Sequence, residues 1–262
     1  MLYLRLFFIS FLTLFFNNAQ ALTPTQIANI TAFVSQQPNP NVKTNGIGIY
    51  VYDGVNAMDA LGPYQVFKSA GLNVFLIGQH AGTITTNNKL KLEVDKTIND
   101  VTQLDILVIP GGAFSTSAQT QDTTVLNWIR QIDSTTIYTT SVCTGAWILG
   151  AAGLLEGKLA TTNWYRAEQI LAKYGATFKQ ERWVQDGKYW TSAGVTAGID
   201  MALAIVVNLF GEEYTQAIML DLEYNPKPPI KGGSIKNTPP KVKKMMSGMY
   251  DYYMLPFVNS IP

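Results

Sequence analysis

Apolar and polar positions along this chain fall into short blocks whose period switches between that of a strand and that of a helix. Residues 46–52 (GIGIYVY) form a β-rich run that stops at the turn residues Asp53-Gly54. Over 58–70, Leu61, Tyr64, Val66 and Phe67 recur at helical spacing. Residues 73–78 (NVFLIG) predict a second strand, and 83–95 a hairpin turning near Asn87-Asn88. The run 105–110 (DILVIP) is almost wholly apolar, as expected of a central strand covered on both faces, and it leads into Gly111-Gly112. A helix follows over 123–132, then a strand over 136–142. A further helix over 144–155 leaves only Cys143 between it and that strand.

Beyond this point the pattern predicts a helix over 164–174 closed by Gly175, and two short strands within 177–190 around Asp186-Gly187. An apolar helix over 195–210, stopped by Gly211, and a last helix over 212–224 complete it. Strands alternating with helices through short turns predict an α/β fold with a doubly wound, mostly parallel sheet and helices on both faces.

The two ends differ from this middle. Arg5, an apolar stretch over 6–16 broken only by Ser10 and Thr13, and Ala19-Gln20-Ala21 have the layout of a secretory signal peptide. The stretch is about half of the ~20 residues needed to span a bilayer, so cleavage after Ala21 is favoured over an uncleaved anchor. The expected product is exported, periplasmic or secreted. It comprises an N-terminal segment 22–45, an α/β domain 46–224 and a tail 225–262. The tail holds six lysines against one acid, Asp251, with many prolines and then Tyr250, Tyr252, Tyr253 and Phe257. It reads either as an extension packed over the body or a second subunit, or as a surface-binding arm.

Charge and composition narrow the chemistry. Lys and Arg number 19 against 18 Asp and Glu, a balance that argues against nucleic acid as a partner. With one histidine, His80, there is at most one imidazole base and no multi-histidine metal site; the expectation is no metal and no cofactor. His80 follows the second strand and reads as a surface or capping residue. The single cysteine excludes an internal disulfide, leaving a buried small hydrophobe or a functional thiol. Its place favours the thiol. Cys143 stands at the carboxyl end of a strand, where open α/β sheets bind ligands, and at the start of a helix, whose free N–H groups stabilise a thiolate and lower its pKa. The Gly111-Gly112 loop could present N–H groups to developing charge. Asp59 begins a helix at the same sheet edge and reads either as the partner of Cys143 or as that helix's N-cap.

Four separated segments, DGVNAMDALGPYQVF, DILVIPGG, SVCTGAWILGAAGLLEGKLATTNW and TSAGVTAGIDMALAIV, resemble the ThiJ/PfpI superfamily in order and spacing. Within it they are most similar to isonitrile hydratases and to the amidase-like domains of AraC-type regulators. The resemblance covers about residues 46–224 and implies a class I glutamine-amidotransferase-like, flavodoxin-like fold and a homodimer. It implies that Cys143 is the nucleophile and that Thr144 helps position substrate. Asp59, in the Asp-x-x-Gly-Pro motif, would contact the cysteine and shuttle protons, and Gly112, beside Gly111, would donate an N–H toward the site. Asp200 would be structural. Many relatives read Thr-Thr-His-Trp where this chain has Thr161-Thr162-Asn163-Trp164, and an asparagine cannot act as a base near neutral pH. A Cys-His-Glu triad is therefore not supported, while a mechanism needing only Cys143 and Asp59 survives. The implied activity is cofactor-free hydration of an isonitrile-like small molecule. The rivals are a non-catalytic binding or redox-sensing protein and a glyoxalase- or deglycase-like enzyme.

Overall fold

The runs IGIY and ILVI carry only one polar group between them, the Tyr50 hydroxyl, and both lie side by side with every residue buried. They are β1 (Ile47–Tyr50) and β6 (Ile106–Ile109) of a computed structural model that describes residues 22–35 and 45–261. Between them run α2 (Ala57–Ser69), β2 (Val74–Gly78), β3 (Gly82–Thr85), β4 (Lys91–Val94) and β5 (Lys96–Thr97); α1 (Pro24–Val34) precedes β1. After β6 come α3 (Thr116–Gln119), α4 (Thr123–Asp133), β7 (Tyr138–Val142), α5 (Gly145–Ala151), β8 (Leu159–Ala160), α6 (Ala167–Lys173) and β9 (Thr177–Phe178). The chain continues through β10 (Trp183–Asp186), β11 (Tyr189–Ser192), α7 (Val195–Phe210), α8 (Glu212–Asp221) and α9 (Pro240–Ser260). The segment expected to be a signal peptide, 1–21, lies outside the described residues.

Seven strands form one sheet in the order β10-β11-β7-β6-β1-β2-β5, parallel throughout except for the β10–β11 hairpin. The predicted fold class is thus observed: a doubly wound, flavodoxin-like sheet with helices on both faces. From β1 the chain moves outward to β2, then returns to place β6 on the other side of β1. That reversal opens a crevice at the carboxyl ends of the strands. Close approach of helix to sheet depends on glycine at two places. A Cβ on Gly145 would stand 1.9 Å from the Ile109 carbonyl, and one on Gly198 of α7 would press on Val142 of β7 at 2.9 Å.

Some elements differ from the sequence pattern. Helix α1 was not anticipated, although Thr23 and Gln26 form a capping box and Pro24 takes its first turn. Helix α6 starts at Ala167 rather than at 164, because Arg166 is left-handed at φ 46°. Thr177-Phe178 pairs with β8 in a separate small sheet instead of joining the hairpin.

The tail packs over the body, one of the two expectations for it, through a helix that the pattern did not predict. Pro240 occupies the first turn of this 21-residue helix, which also contains Pro256. Met254, Val258 and Ile261 are buried with Trp147, Tyr165 and Ile170 in a second apolar cluster. Phe257 stacks on Trp147 at 5.6 Å, and Arg166 pairs with Asp251 at 2.9 Å. Among the described residues no helix is long and apolar enough to cross a membrane.

Candidate active site

Cys143 sits on a tight elbow. Strand β7 ends at Val142, α5 opens at Gly145, and Cys143 between them is left-handed at φ 58°. That conformation costs a non-glycine residue about 1–3 kcal/mol and persists only where neighbours impose it. Here they do so from both sides. The Cys143 N–H donates to the Ser192 carbonyl at 3.0 Å, and its carbonyl accepts from Thr162 Oγ1 at 2.8 Å. The sulfur thereby faces Asn163, whose Nδ2 donates to Sγ at 3.4 Å, and it also receives the Thr144 N–H.

Asp59 is brought to the same point. The N-cap of α2 is Asn56, whose side chain accepts from the Met58 N–H at 3.0 Å, so Asp59 is not the cap. It lies in the first turn, fully buried, with Oδ2 accepting from the Gly111 N–H at 3.2 Å. Oδ1 meets no ordinary donor, and the carboxyl interacts with the Cys143 thiol. Burial raises the Asp59 pKa from 3.8 to about 7; the thiol and the Gly111 N–H, both donating to it, hold it back only in part.

The thiol moves opposite to the direction expected from a helix N-terminus. Burial pushes the Cys143 pKa up, and the neighbouring Asp59 charge adds to this. The Asn163 amide and the Thr144 N–H oppose the rise without overcoming it. Burial and the Asp59 charge thus both favour the neutral thiol. This runs against the expectation of a low-pKa thiolate, because loss of solvent around the sulfur outweighs the Thr144 N–H at the start of α5.

The Gly111-Gly112 loop has a different use from that expected. The Gly112 N–H is engaged by Thr116 Oγ1 at 2.9 Å and Thr144 Oγ1 at 3.2 Å, and Ala113 also donates to Thr144 Oγ1 at 3.2 Å. These N–H groups hold Thr144 and Asp59 in place and do not stand open for a substrate. Only glycine fits at 111, where a Cβ would come within 2.5 Å of Thr144 Oγ1 and 3.0 Å of Asp59 Oδ2.

Sequence reasoning passed over several residues in this network. Thr116 bonds Thr144 Oγ1 at 2.7 Å, Tyr52 reaches Thr116 and the Pro110 carbonyl, and Thr162 fixes the elbow. Thr161-Thr162, just before Asn163, was the available signal for the last. Trp164 is half-buried and packs on Tyr250 of α9 at 5.1 Å between ring centres. His80 is exposed at the end of β2. Asp200 joins Arg182 and Tyr224 in a structural cluster on α7. Among the described residues no group of three or more His, Cys, Asp or Glu could hold a metal ion.

Comparison with known proteins bears on the family and the fold. The model of the DJ-1/PfpI family matches residues 46–208. An isonitrile hydratase of Pseudomonas putida is 39% identical over 197 residues, 75% of this chain and 86% of its own length. A ThiJ/PfpI family protein of known structure from Pseudomonas syringae superimposes with a TM-score of 0.80 at 30% identity, covering 94% of this chain and 98% of the other. Drosophila melanogaster DJ-1beta, at 21% identity and a TM-score of 0.62 over 68% of this chain and 96% of the other, shares the fold.

Proposed function

This chain belongs to the DJ-1/PfpI family, and on that footing we propose that it is a hydratase converting an isonitrile-like small molecule to an N-substituted formamide, with Cys143 as nucleophile and Asp59 as proton shuttle. The observation that carries the reading is the buried Asp59–Cys143 pair completed by the Asn163 amide, a site with a proton relay and no imidazole. The 39% identity to an isonitrile hydratase supports the substrate class.

The chemistry follows from where the protons rest. As the isonitrile carbon approaches, Asp59 accepts the thiol proton and sulfur adds to that carbon. Asp59 then delivers the proton to the same carbon, giving a thioimidate, R–N=CH–S–Cys143. Water adds to this carbon while Asp59 takes a proton from the water and passes it to nitrogen. Collapse breaks the C–S bond, releases R–NH–CHO and returns a proton to sulfur. One water is consumed, and the enzyme ends as it began. An Asp59 pKa of about 7 suits both accepting and donating near neutral pH. Asn163 stabilises the sulfur whenever it carries charge.

Two rivals weaken on specific grounds. A redox sensor needs an accessible, acidic thiol, whereas Cys143 is 8% exposed with its pKa raised. A glyoxalase- or deglycase-like reaction lacks a histidine at position 163. Export through the 1–21 leader and a homodimeric assembly are further parts of the proposal. The deciding experiment measures formamide release by the purified protein and its Cys143→Ala variant from small isonitriles, with α-oxoaldehydes in parallel. Turnover of isonitriles that vanishes in Cys143→Ala supports the reading; equal turnover by both proteins, or turnover of the oxoaldehydes alone, overturns it.

A further inference from the structure

We propose that Tyr250 of the C-terminal helix is a specificity-determining residue of the Cys143 site, forming with Phe114 and Trp164 an aromatic roof that seats the apolar N-substituent of the substrate and limits its width. The nature of the substrate rests on the isonitrile reading above; the roof rests on geometry.

Two segments flank Cys143. One is the loop running from Gly111, which holds Asp59 and Thr144 and continues to Phe114. The other is Asn163-Trp164-Tyr165, which supplies the amide on sulfur and braces it through the Tyr165 N–H to Asn163 Oδ1 at 3.0 Å. Tyr250 bridges them. Its ring centre lies 6.4 Å from Phe114, 5.1 Å from Trp164 and 5.1 Å from Tyr165. The Tyr250 hydroxyl meets the side-chain amide of Asn163, the same amide that donates to Sγ.

This roof is anchored. Next to Tyr250, Asp251 accepts from the Tyr165 hydroxyl at 2.7 Å and pairs with Arg166 at 2.9 Å. One turn on, Met254 is 1% exposed, and Val258 is fully buried a turn later. A wall held by buried apolar contacts on one side and an ion pair on the other resists displacement by a bulky ligand. An isonitrile is linear at nitrogen, so placing its carbon on Sγ sends the substituent straight away from sulfur. The aromatic faces of Phe114, Trp164 and Tyr250 suit an apolar group there, and their spacing sets how broad it can be.

Because Cys143 is the only cysteine, thiol labelling of the full chain reads this site alone. Labelling rates with methyl and benzyl methanethiosulfonate measure its width. Paired kcat/KM values for methyl and cyclohexyl isocyanide measure selectivity. The expectation is that Tyr250→Ala narrows the methyl-to-benzyl rate ratio by about tenfold or more and shifts the kcat/KM ratio toward cyclohexyl isocyanide by a similar factor. Tyr250→Phe, which keeps the ring, should leave both ratios as in the unsubstituted protein. Phe114→Ala opens the same roof from an exposed loop and carries the test if Tyr250→Ala does not fold. Unchanged labelling ratios in the alanine variants overturn the roof. Changed labelling with unchanged kcat/KM ratios overturns its role in specificity. Changed labelling in a protein that turns over neither isocyanide upholds the wall and overturns the substrate reading.

Discussion

Asn163 donates its side-chain amide to the sulfur of Cys143 at 3.4 Å. An amide can stabilise charge on sulfur but cannot take its proton. Among the described residues, the buried Asp59 is left as the base in contact with the thiol.

Removing that amide tests its contribution. A hydrogen bond to a charged group is worth about 1.5–3 kcal/mol, so Asn163→Ala should lower kcat by roughly ten- to a hundredfold, with KM for small isonitriles little changed. Asn163→His should not raise activity above that of the unsubstituted protein, since Asp59 already relays the proton. A histidine variant several times faster would show that the relay is incomplete.

The acidity of the thiol gives a second prediction. Burial and the Asp59 charge both raise the Cys143 pKa, so alkylation by iodoacetamide should be slow at neutral pH and accelerate only above the ~8.5 of an ordinary cysteine. Asp59→Asn removes the like charge and should shift this profile to lower pH while abolishing turnover. Alkylation and turnover moving in opposite directions is the signature. An alkylation midpoint that stays put in Asp59→Asn would remove Asp59 from the site.

Stability should depend on pH through the same carboxyl. The Asp59 pKa is raised from 3.8 to about 7 by folding, so its contribution is fully present below about pH 4 and is lost as pH rises through 7. At ~1.4 kcal/mol per pKa unit the loss is on the order of a few kcal/mol. Urea unfolding at pH 5 and pH 8 should show the unsubstituted protein losing stability relative to Asp59→Asn across that interval. Parallel pH dependences in the two proteins would contradict a buried, proton-holding carboxyl.

The elbow depends on Gly145. A methyl group there would lie 1.9 Å from the Ile109 carbonyl, a backbone atom that cannot turn aside. Gly145→Ala should cost about 3 kcal/mol or more by forcing α5 off β6, and it should slow turnover because Cys143 moves with the helix. Gly153→Ala offers a contrast. Its added Cβ would meet nothing within 4 Å, so only its φ of 77° penalises it, and the cost should be nearer 1 kcal/mol. Thermal unfolding of the two variants gives the comparison.

The sheet was legible in the chain, because strands buried on both faces leave apolar runs such as ILVI. So was the elbow, because Cys143 has no room between a strand and a helix to be anywhere else. The ThiJ/PfpI motifs carried Asp59 to the cysteine, a pairing that its local sequence could not decide against a helix cap. The rest depended on contacts between residues far apart in the chain. Whether the thiol is acidic depends on how much solvent it loses and on the charge beside it. Whether the Gly112 N–H is free depends on two threonine hydroxyls, Thr116 and Thr144, that meet it in space. The tail is the clearest case. Its composition left open a packed extension or a surface-binding arm, and the structure has Met254, Val258 and Phe257 finding partners in Trp147, Tyr165 and Ile170, more than 75 positions earlier in the chain. Periodicity can say that a helix has an apolar stripe. What that stripe covers is settled by long-range packing, and here that packing sets Tyr250 against Trp164, the neighbour of Asn163.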